Sequence, residues 1–456
     1  MRSSFARLLT VLCLALGGLA VMPSPATALS QNPDPSTWMA NGKIFASVRY
    51  GDVMFIGGTF KKLRESLSPG PASGPQVTGL TGLAAIDLTT GEGIPSFKPQ
   101  ITVSGNQTLE VQSLAIVGDT LYVGGQFSEV DGRPRLNIAA IDIDPNTMTG
   151  TVDPTFDPVV GAPDGNLANF EVLKILPGSN ALYISGAFSK VDGKGRNKMA
   201  KLSYAGVVDN TFKPGSTNGA VRDLEWAADG QTLFASGNFY TLSGAARLAV
   251  GRIDPTTGAA TNWAVPSGQI PASGSPAKQI CWDIIATSTR LFAGCGKGPN
   301  FIAAFRVDTG DTGSRTWILS TGGNVVSLHL LAGGDAIAFG GHFGINSTGS
   351  YNGLMPVCGN VGPTRYLRAL GILRNINQTT ASSAIRNGDT STATAYLDCS
   401  FTPNFEGQDP DGPNFTGTNP FGGVWEIQVT GQHIWALGEF KYVNANVRRA
   451  IARFPL

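Results

Sequence analysis

Four carboxylate side chains stand at matching places in a repeated stretch of this sequence, and they are the residues best suited to do chemistry. Asp223 and Glu225 belong to one copy of the stretch, Asp283 to the next copy and Glu426 to the last. Carboxylate oxygens are the ligands that Ca²⁺ prefers, about six to eight of them at once. Brought together, these residues could hold Ca²⁺ or another ligand. The alternative is a water-filled channel lined by solvated and partly paired charges.

A catalytic role has less support in the sequence. His329 lies at the level of Glu225 in its own copy, so it could join the acidic side chains in a lyase or hydrolase site. The chain contains no G-x-S-x-G, P-loop, H-E-x-x-H or kinase pattern. We therefore name no catalytic residue and expect a binding protein, with an extracellular enzyme working at the acidic site as the alternative.

The first 28 residues have the features of a secretory signal peptide. Arg2 and Arg7 supply the positive start, residues 8–22 form an apolar run, and residues 26–28 read Ala-Thr-Ala, a small-residue cleavage site. The apolar run is shorter than the roughly 20 residues that a membrane-spanning helix needs. We expect residues 29–456 to be secreted as a monomer without a transmembrane segment.

Four cysteines follow this segment, and an even number in an exported chain indicates disulfides. They are Cys281, Cys295, Cys358 and Cys399. Proximity in the sequence favours the pairs Cys281–Cys295 and Cys358–Cys399, although four cysteines allow three pairings. Free buried thiols are the alternative. The spacing of the Cys and His residues does not resemble that of a zinc finger.

The composition indicates an all-β protein. Charged residues make up only 14% of the chain, and glycine accounts for 59 of 456 residues. Glycine suits tight turns and costs about 1 kcal/mol at each helical position relative to alanine. The net charge of +1 comes without the basic cluster that nucleic acids or anionic membranes require, so we expect neither as a partner.

A repeated unit runs through the chain from residue 29 to residue 456. Its clearest copy contains L-Y-V-G-G-Q-F, ending at Phe127, and a degenerate copy has Cys295 in place of the second glycine. Each unit predicts four short strands, the fourth carrying an aromatic residue near proline. Seven such units predict a seven-bladed β-propeller with four-stranded antiparallel blades. The other copies of the G-G-x-F strand end at Phe60, Phe188, Phe239, Phe343 and Phe440.

The repeat also predicts several local features of the fold. The glycine pair indicates a close approach of a neighbouring chain segment or a bulge. Trp38 resembles the missing fourth strand of the last unit, so the N-terminal strand is expected to pair with residues 450–454 and close the ring. The first strand of each unit should line the central channel. Alignment of these strands places Val172 level with Asp223, and Lys174 level with Glu225.

The motif G-G-x-F, a D-G turn, N-I-A-A-I-D and then D-x-T-F-x-P resembles the delta-60 repeat family of secreted bacterial β-propellers. The most specific segments are T-V-D-P-T-F-D-P at 151–158 and V-V-D-N-T-F-K-P at 207–214. A fainter similarity exists to fungal cortical proteins that mark cell polarity. The resemblance implies the fold and export from the cell, and it implies no particular activity.

One segment departs from the repeat. Residues 344–402 form an insertion in the sixth unit that is rich in tyrosine and arginine, residue types enriched in recognition surfaces. A rigid scaffold with such loops favours a secreted, non-enzymatic binding module. Its expected ligand is an extracellular glycan, a protein or a cell-wall component.

Overall fold

The computed structural model describes residues 30–65, 74–161, 171–274, 278–307, 312–321, 323–343, 368–379, 396–398, 401, 403, 405–406, 423–444 and 446–456. Every regular element in these ranges is a β-strand. Across them, no helix is long and apolar enough to span a membrane. The predicted signal peptide, Cys358 and Cys399 lie outside the described residues.

Nineteen strands precede residue 210. They are β1 (Met39–Ala40), β2 (Ile44–Tyr50), β3 (Val53–Gly58), β4 (Lys62–Arg64), β5 (Gln76–Thr78), β6 (Leu83–Asp87), β7 (Ile101–Thr102), β8 (Glu110–Val117), β9 (Thr120–Gln126), β10 (Glu129–Val130), β11 (Arg133–Pro134), β12 (Ile138–Asp144), β13 (Thr149–Val152), β14 (Val160–Gly161), β15 (Val172–Pro177), β16 (Leu182–Gly186), β17 (Lys190–Val191), β18 (Lys194–Gly195) and β19 (Met199–Leu202).

Nineteen more follow in the described part of the chain. They are β20 (Val221–Trp226), β21 (Leu233–Gly237), β22 (Thr241–Leu242), β23 (Ala245–Ala246), β24 (Val250–Ile253), β25 (Ile280–Ala286), β26 (Arg290–Gly296), β27 (Phe301–Arg306), β28 (Arg315–Ser320), β29 (Asn324–Leu330), β30 (Ala336–Phe343), β31 (Arg368–Arg374), β32 (Tyr396–Leu397), β33 (Phe405–Glu406), β34 (Gly423–Thr430), β35 (His433–Glu439), β36 (Tyr442–Val443), β37 (Asn446–Val447) and β38 (Ile451–Pro455).

These strands form small antiparallel sheets that follow one another along the chain. The larger sheets are β2-β3-β6, β8-β9-β12-β13, β15-β16-β19, β20-β21-β24, β25-β26-β27-β28, β29-β30-β31-β32 and β34-β35-β38. The first strands touch in the order β2, β8, β15, β20, β25, β29 and β34, and β34 touches β2. The sheets are therefore arranged in a ring around their first strands, which confirms the prediction of an all-β propeller.

The fourth strand of each unit is less regular than predicted. In the described residues, three of the larger sheets have four strands and four have three. Single bridges such as Leu202↔Val208 and Ile253↔Ala260 replace a fourth strand in some three-stranded sheets. The aromatic side chain of this segment is nevertheless buried, and in five units it packs on an aromatic ring of the second strand. The Phe55–Phe97 centroids, for example, lie 4.6 Å apart.

The glycine pair has the role expected from the sequence. A Cβ atom at Gly124, the first glycine, would lie 2.7 Å from Cγ1 of Val172 on the next sheet. At the second glycine, Gly125, a Cβ atom would overlap the carbonyl oxygen of Glu110 on the neighbouring strand of the same sheet. The first glycine therefore allows adjacent sheets to approach, and the second allows the first two strands to pair around a bulge.

The D-G turns also match their prediction. Asp131 and Gly132 have φ values of 49° and 71°, and Asp192 and Gly193 have 48° and 71°. Positive φ at both central residues is the geometry of a type I′ hairpin turn, which Asp-Gly adopts readily. These turns connect β10 to β11 and β17 to β18.

The N-terminal segment lies against the last sheet without forming the expected strand. Residues 34–38 contain a turn and irregular backbone, because the Asp34 side chain accepts the Ser36 N–H and Pro35 has no N–H to donate. The Asp34 N–H donates to the Arg453 carbonyl at 2.7 Å, and the two side chains form an ion pair. Trp38 is buried in one cluster with Trp435.

Part of the segment assigned to the insertion belongs to a sheet. β31 pairs with β30, and β32 pairs with β31, so both complete the sixth large sheet. The sequence analysis missed β31 as a third strand because the G-G-x-F motif is separated from it by 344–367. Most of the remaining residues of 344–402 lie outside the described ranges.

Cys281 and Cys295 form a disulfide, with sulfur atoms 2.10 Å apart, as predicted from their proximity. They face each other across β25 and β26 at the register position that Val111 and Gly125 occupy in the second sheet. The bond therefore replaces the valine–glycine pair of the regular repeat.

Loss of this disulfide should destabilise the fold. We expect the variant Cys281→Ser/Cys295→Ser to lose about 3 kcal/mol, the chain-entropy value for a loop of about 15 residues. The variant Cys281→Val/Cys295→Gly loses the same loop constraint but restores the valine–glycine packing of the second sheet, so it should be more stable than the serine variant. Urea denaturation of both variants tests this expectation. Equal stabilities of the two variants would show that a valine–glycine pair at these positions adds nothing to the stability of the fold.

Candidate functional site

A cavity of about 430 Å³ opens at one end of the ring of first strands. Each first strand contains a register shift, which marks a β-bulge with two residues opposite one. A bulge re-aims a side chain, and the extra residue of every first strand lines this cavity. These residues are Phe45, Gln112, Leu173, Arg222, Trp282, Val326 and Trp425.

The rim of the cavity combines aromatic and charged side chains. The Arg222 guanidinium lies 4.0 Å from the centre of the Trp282 ring. Phe45 and Trp425 contact edge to face, with ring centroids 5.9 Å apart. The Glu171 side chain also lines the cavity, and burial raises its pKa although the nearby Arg222 opposes the shift.

Below the rim, the cavity floor contains one cation among several carboxylates. Lys174 Nζ lies 2.6 Å from Asp223 Oδ1, and Asp283 and Glu426 line the same cavity. The sequence alignment was wrong for the third unit. The bulge in β15 falls between Val172 and Lys174, so Lys174, not Val172, is level with Asp223. A shift of two residues leaves the alternation of side chains unchanged, so periodicity could not reveal the error.

Backbone N–H groups hold two of the carboxylates in place. Asp223 Oδ2 accepts the Ile284 N–H at 3.0 Å, and Asp283 Oδ2 accepts the Leu328 N–H at 2.5 Å. In both cases the donor belongs to the first strand of the next sheet. These bonds connect adjacent sheets at the channel wall and orient the acidic groups.

Burial keeps several of these acids from ionising fully. It raises the pKa of Asp283 well above its usual range, and the charge of Asp223 adds to this effect. Burial also raises the pKa of Glu225 and of Glu426 to about 7. For Lys174, burial favours the neutral amine, but the carboxylates of Asp223, Asp283 and Glu225 outweigh it and raise its pKa. The floor therefore consists of an ammonium–carboxylate pair beside carboxyl groups that hold protons near neutral pH.

The raised pKa of Glu426 predicts a pH-dependent stability. Because this pKa is higher in the folded chain than in the unfolded chain, the stabilisation is complete below about pH 4.5 and is lost as the pH rises through about 7. Glu426→Gln should therefore be more stable than the natural chain at pH 8, on the order of 1 kcal/mol, and no more stable at pH 5. Urea denaturation at both pH values measures the difference. The control is Glu92→Gln on the exposed surface, and an equal pH response in both variants would contradict the expectation.

The structure brings together only part of the predicted acidic site. Asp223, Asp283 and Glu426 line the cavity, whereas Glu225 and His329 are not among its lining residues. His329 hydrogen-bonds with the backbone of Ile427, and burial lowers its pKa. Over the described ranges, no three His, Cys, Asp or Glu side chains are arranged to hold a metal ion. The Lys174 ammonium is the cation that pairs with Asp223.

The sequence analysis missed the aromatic rim. Strict alternation predicts that every second residue of a first strand faces the channel. A bulge adds one more channel-facing residue, and the alternating pattern does not reveal it. The signal was present in the repeat, since Phe45, Trp282 and Trp425 occupy the same position in their copies. Large aromatic side chains at that position fit neither a packed sheet interface nor a solvated channel wall.

Small antiparallel sheets around a ring of first strands define the protein as a β-propeller. A family model described as a domain of unknown function (DUF5122) β-propeller matches residues 180–212. No curated protein sequence matches the chain.

Several solved structures are similar over most of their length. The WD40 β-propeller domain of Doa1 shares 10% identity over 92% of this chain and 95% of its own, with a TM-score of 0.46. Sqt1 of Chaetomium thermophilum shares 16% identity over 93% and 98%, with a TM-score of 0.45. The computationally designed Ika8 protein shares 11% identity over 93% and 100%, with a TM-score of 0.43.

Proposed function

We propose that this chain is a secreted, non-enzymatic β-propeller of seven blades that binds an extracellular ligand at the mouth of its central channel. The observation that carries the proposal is the cavity whose rim is formed by the bulge residue of every first strand. Its size is within the range of small-molecule sites, roughly 300–1,000 Å³. Its wall combines three aromatic side chains with a larger number of polar and charged ones, and two of the carboxylates are oriented by backbone hydrogen bonds.

Seven blades and ring closure are parts of the same proposal. Seven first strands, each in contact with the next, support the count. The backbone hydrogen bond between Asp34 and Arg453 supports closure of the ring by the N-terminal segment. The match of residues 180–212 to a β-propeller model supports membership of a propeller repeat family such as the delta-60 repeats. A ring closed without free sheet edges would be protected from edge-to-edge association, which favours a monomer.

Export can be tested directly on the full chain. Expressed in a secreting bacterial host, the protein should accumulate outside the cytoplasm with Leu29 as its first residue, as shown by N-terminal sequencing. The variant Arg2→Glu/Arg7→Glu removes the positive start that the export machinery reads, so it should remain in the cells. Cytoplasmic retention of the natural chain with Met1 or Arg2 still present would contradict the proposal.

Binding at the channel mouth can be tested with the secreted protein and two alanine variants. Trp282→Ala should weaken binding to the best target on a glycan array or among isolated cell-wall fractions by at least tenfold, since truncated aromatic anchors often cost about 2 kcal/mol or more. Tyr240→Ala is the matched control, because Tyr240 is 45% exposed and does not line the cavity. If both substitutions weakened binding equally, or if neither weakened it, the ligand would have to bind elsewhere.

An enzymatic role has less support from this geometry. A general acid–base pair must face the substrate within hydrogen-bond reach. Asp283 lines the cavity but already accepts a backbone N–H, and His329 is engaged with the backbone of Ile427. We therefore assign these groups to the structure of the channel wall.

A further inference from the structure

We infer that the ligand of the channel mouth is a neutral carbohydrate, bound through its hydroxyl groups and the C–H faces of its rings. This inference rests on the proposed binding function and specifies its ligand. It follows from the charges of the cavity wall and from the arrangement of its aromatic side chains.

Two of the three cations in the wall are already paired, which disfavours an anionic ligand. Lys174 Nζ lies 2.6 Å from Asp223, and Lys43 Nζ lies 2.9 Å from Glu439. Arg222 has Glu171 nearby, since each influences the ionisation of the other. A phosphate, sulfate or uronate group at either lysine would have to compete with the carboxylate that the lysine already contacts.

The same wall disfavours a cationic ligand. Cationic ligands such as quaternary ammonium groups bind over the faces of aromatic rings, and the Arg222 guanidinium already lies over Trp282 at 4.0 Å. A second positive charge there would be repelled by the guanidinium. At the floor, the Lys174 ammonium already pairs with Asp223.

What the wall offers is apolar ring surface beside neutral or internally paired polar groups. Trp282, Trp425 and Phe45 are only half-buried, so each contributes surface to the cavity. Gln112 also lines it, and its Nε2 donates to Glu110 at 2.6 Å, which leaves its second amide hydrogen and its carbonyl oxygen for a ligand. Sugars present this combination, because a pyranose ring has an apolar C–H face and a rim of hydroxyl groups that both donate and accept.

The test is a titration of the secreted protein, followed by intrinsic tryptophan fluorescence and calorimetry. The probes are neutral oligosaccharides with glucose, N-acetylglucosamine, mannose or xylose units, an anionic oligogalacturonate, and tetramethylammonium chloride. We expect saturable binding of at least one neutral oligosaccharide and none of the two charged probes. The affinity should fall at least tenfold in Trp282→Ala and in Trp425→Ala, and it should be largely retained in Trp282→Phe, which keeps an aromatic face.

The outcomes separate this inference from the proposed function. Binding of the galacturonate or the ammonium probe with the same Trp282 dependence, and of no neutral sugar, would overturn the assignment to a neutral carbohydrate and leave the channel-mouth site in place. Neutral sugar binding that Trp282→Ala and Trp425→Ala leave unchanged would overturn both. Tyr240→Ala serves again as the control, and melting curves of every variant separate loss of binding from loss of folding.

Discussion

Gly125→Val should cost the fold about 3 kcal/mol or more, the upper range for overpacking a tightly packed site. A Cβ atom at this position would overlap the backbone carbonyl of Glu110, and a backbone atom cannot rotate away as a side chain can. The first two strands of the second sheet would have to separate at their bulge. Urea denaturation at neutral pH should show a lower midpoint.

The matched control is the same substitution at a glycine with open space around it. No atom lies within 4 Å of a Cβ built on Gly195, and its backbone has no positive φ. Gly195→Val should therefore change the free energy of unfolding by less than about 0.5 kcal/mol. Similar losses in the two variants would mean that the close approach at Gly125 is not what requires glycine there.

Lys174→Met should also be strongly destabilising, by about 3 kcal/mol at pH 7. Asp223 is only 3% exposed, and the ammonium at 2.6 Å is its counter-ion. Removing one partner of a buried ion pair leaves an uncompensated charge in a poorly solvated place, which commonly costs about 3–5 kcal/mol. Because the Lys174 side chain is 30% exposed, we expect the loss of stability to be at the lower end of that range.

A double variant identifies the source of this loss. Lys174→Met/Asp223→Asn removes both charges, so it should recover much of the stability lost in the single variant, as measured by a double-mutant cycle. Lys43→Met is the control, because the Lys43–Glu439 pair is more than 40% exposed on both sides and should contribute no more than about 1 kcal/mol. If Lys174→Met were no worse than Lys43→Met, the channel pair would not be a buried counter-ion pair.

Local sequence patterns determined the repeat, the turns and one disulfide. A β-hairpin turn depends on the φ preference of two residues, so Asp131-Gly132 could be recognised without any distant contact. The G-G-x-F motif also encoded its packing role, because six of the seven copies have glycine at the second position and each of these glycines lies against a backbone carbonyl oxygen of the first strand or the residue before it. Cys281 and Cys295 are neighbours across a single hairpin, so proximity in the sequence was enough to pair them.

The N-terminal segment shows where local reasoning was incomplete. Trp38 was recognised as an aromatic residue belonging with the last unit, and it is buried beside Trp435. Its backbone conformation was not foreseen, because the Asp34–Arg453 contact joins the two ends of the described chain. Such contacts depend on how the ring closes rather than on the residues next to Asp34.

The sequence by itself determined the all-β class, the repeat and the presence of acidic residues on the first strands, because these follow from alternation and from steric demands within one unit. Only the tertiary structure decided which side chains meet at the channel. It placed Lys174 beside Asp223, left His329 outside the cavity, and brought Trp282 and Trp425 to its rim. The physical reason is the bulge in each first strand, since one extra residue changes which side chains face the axis while the sequence period on either side remains the same.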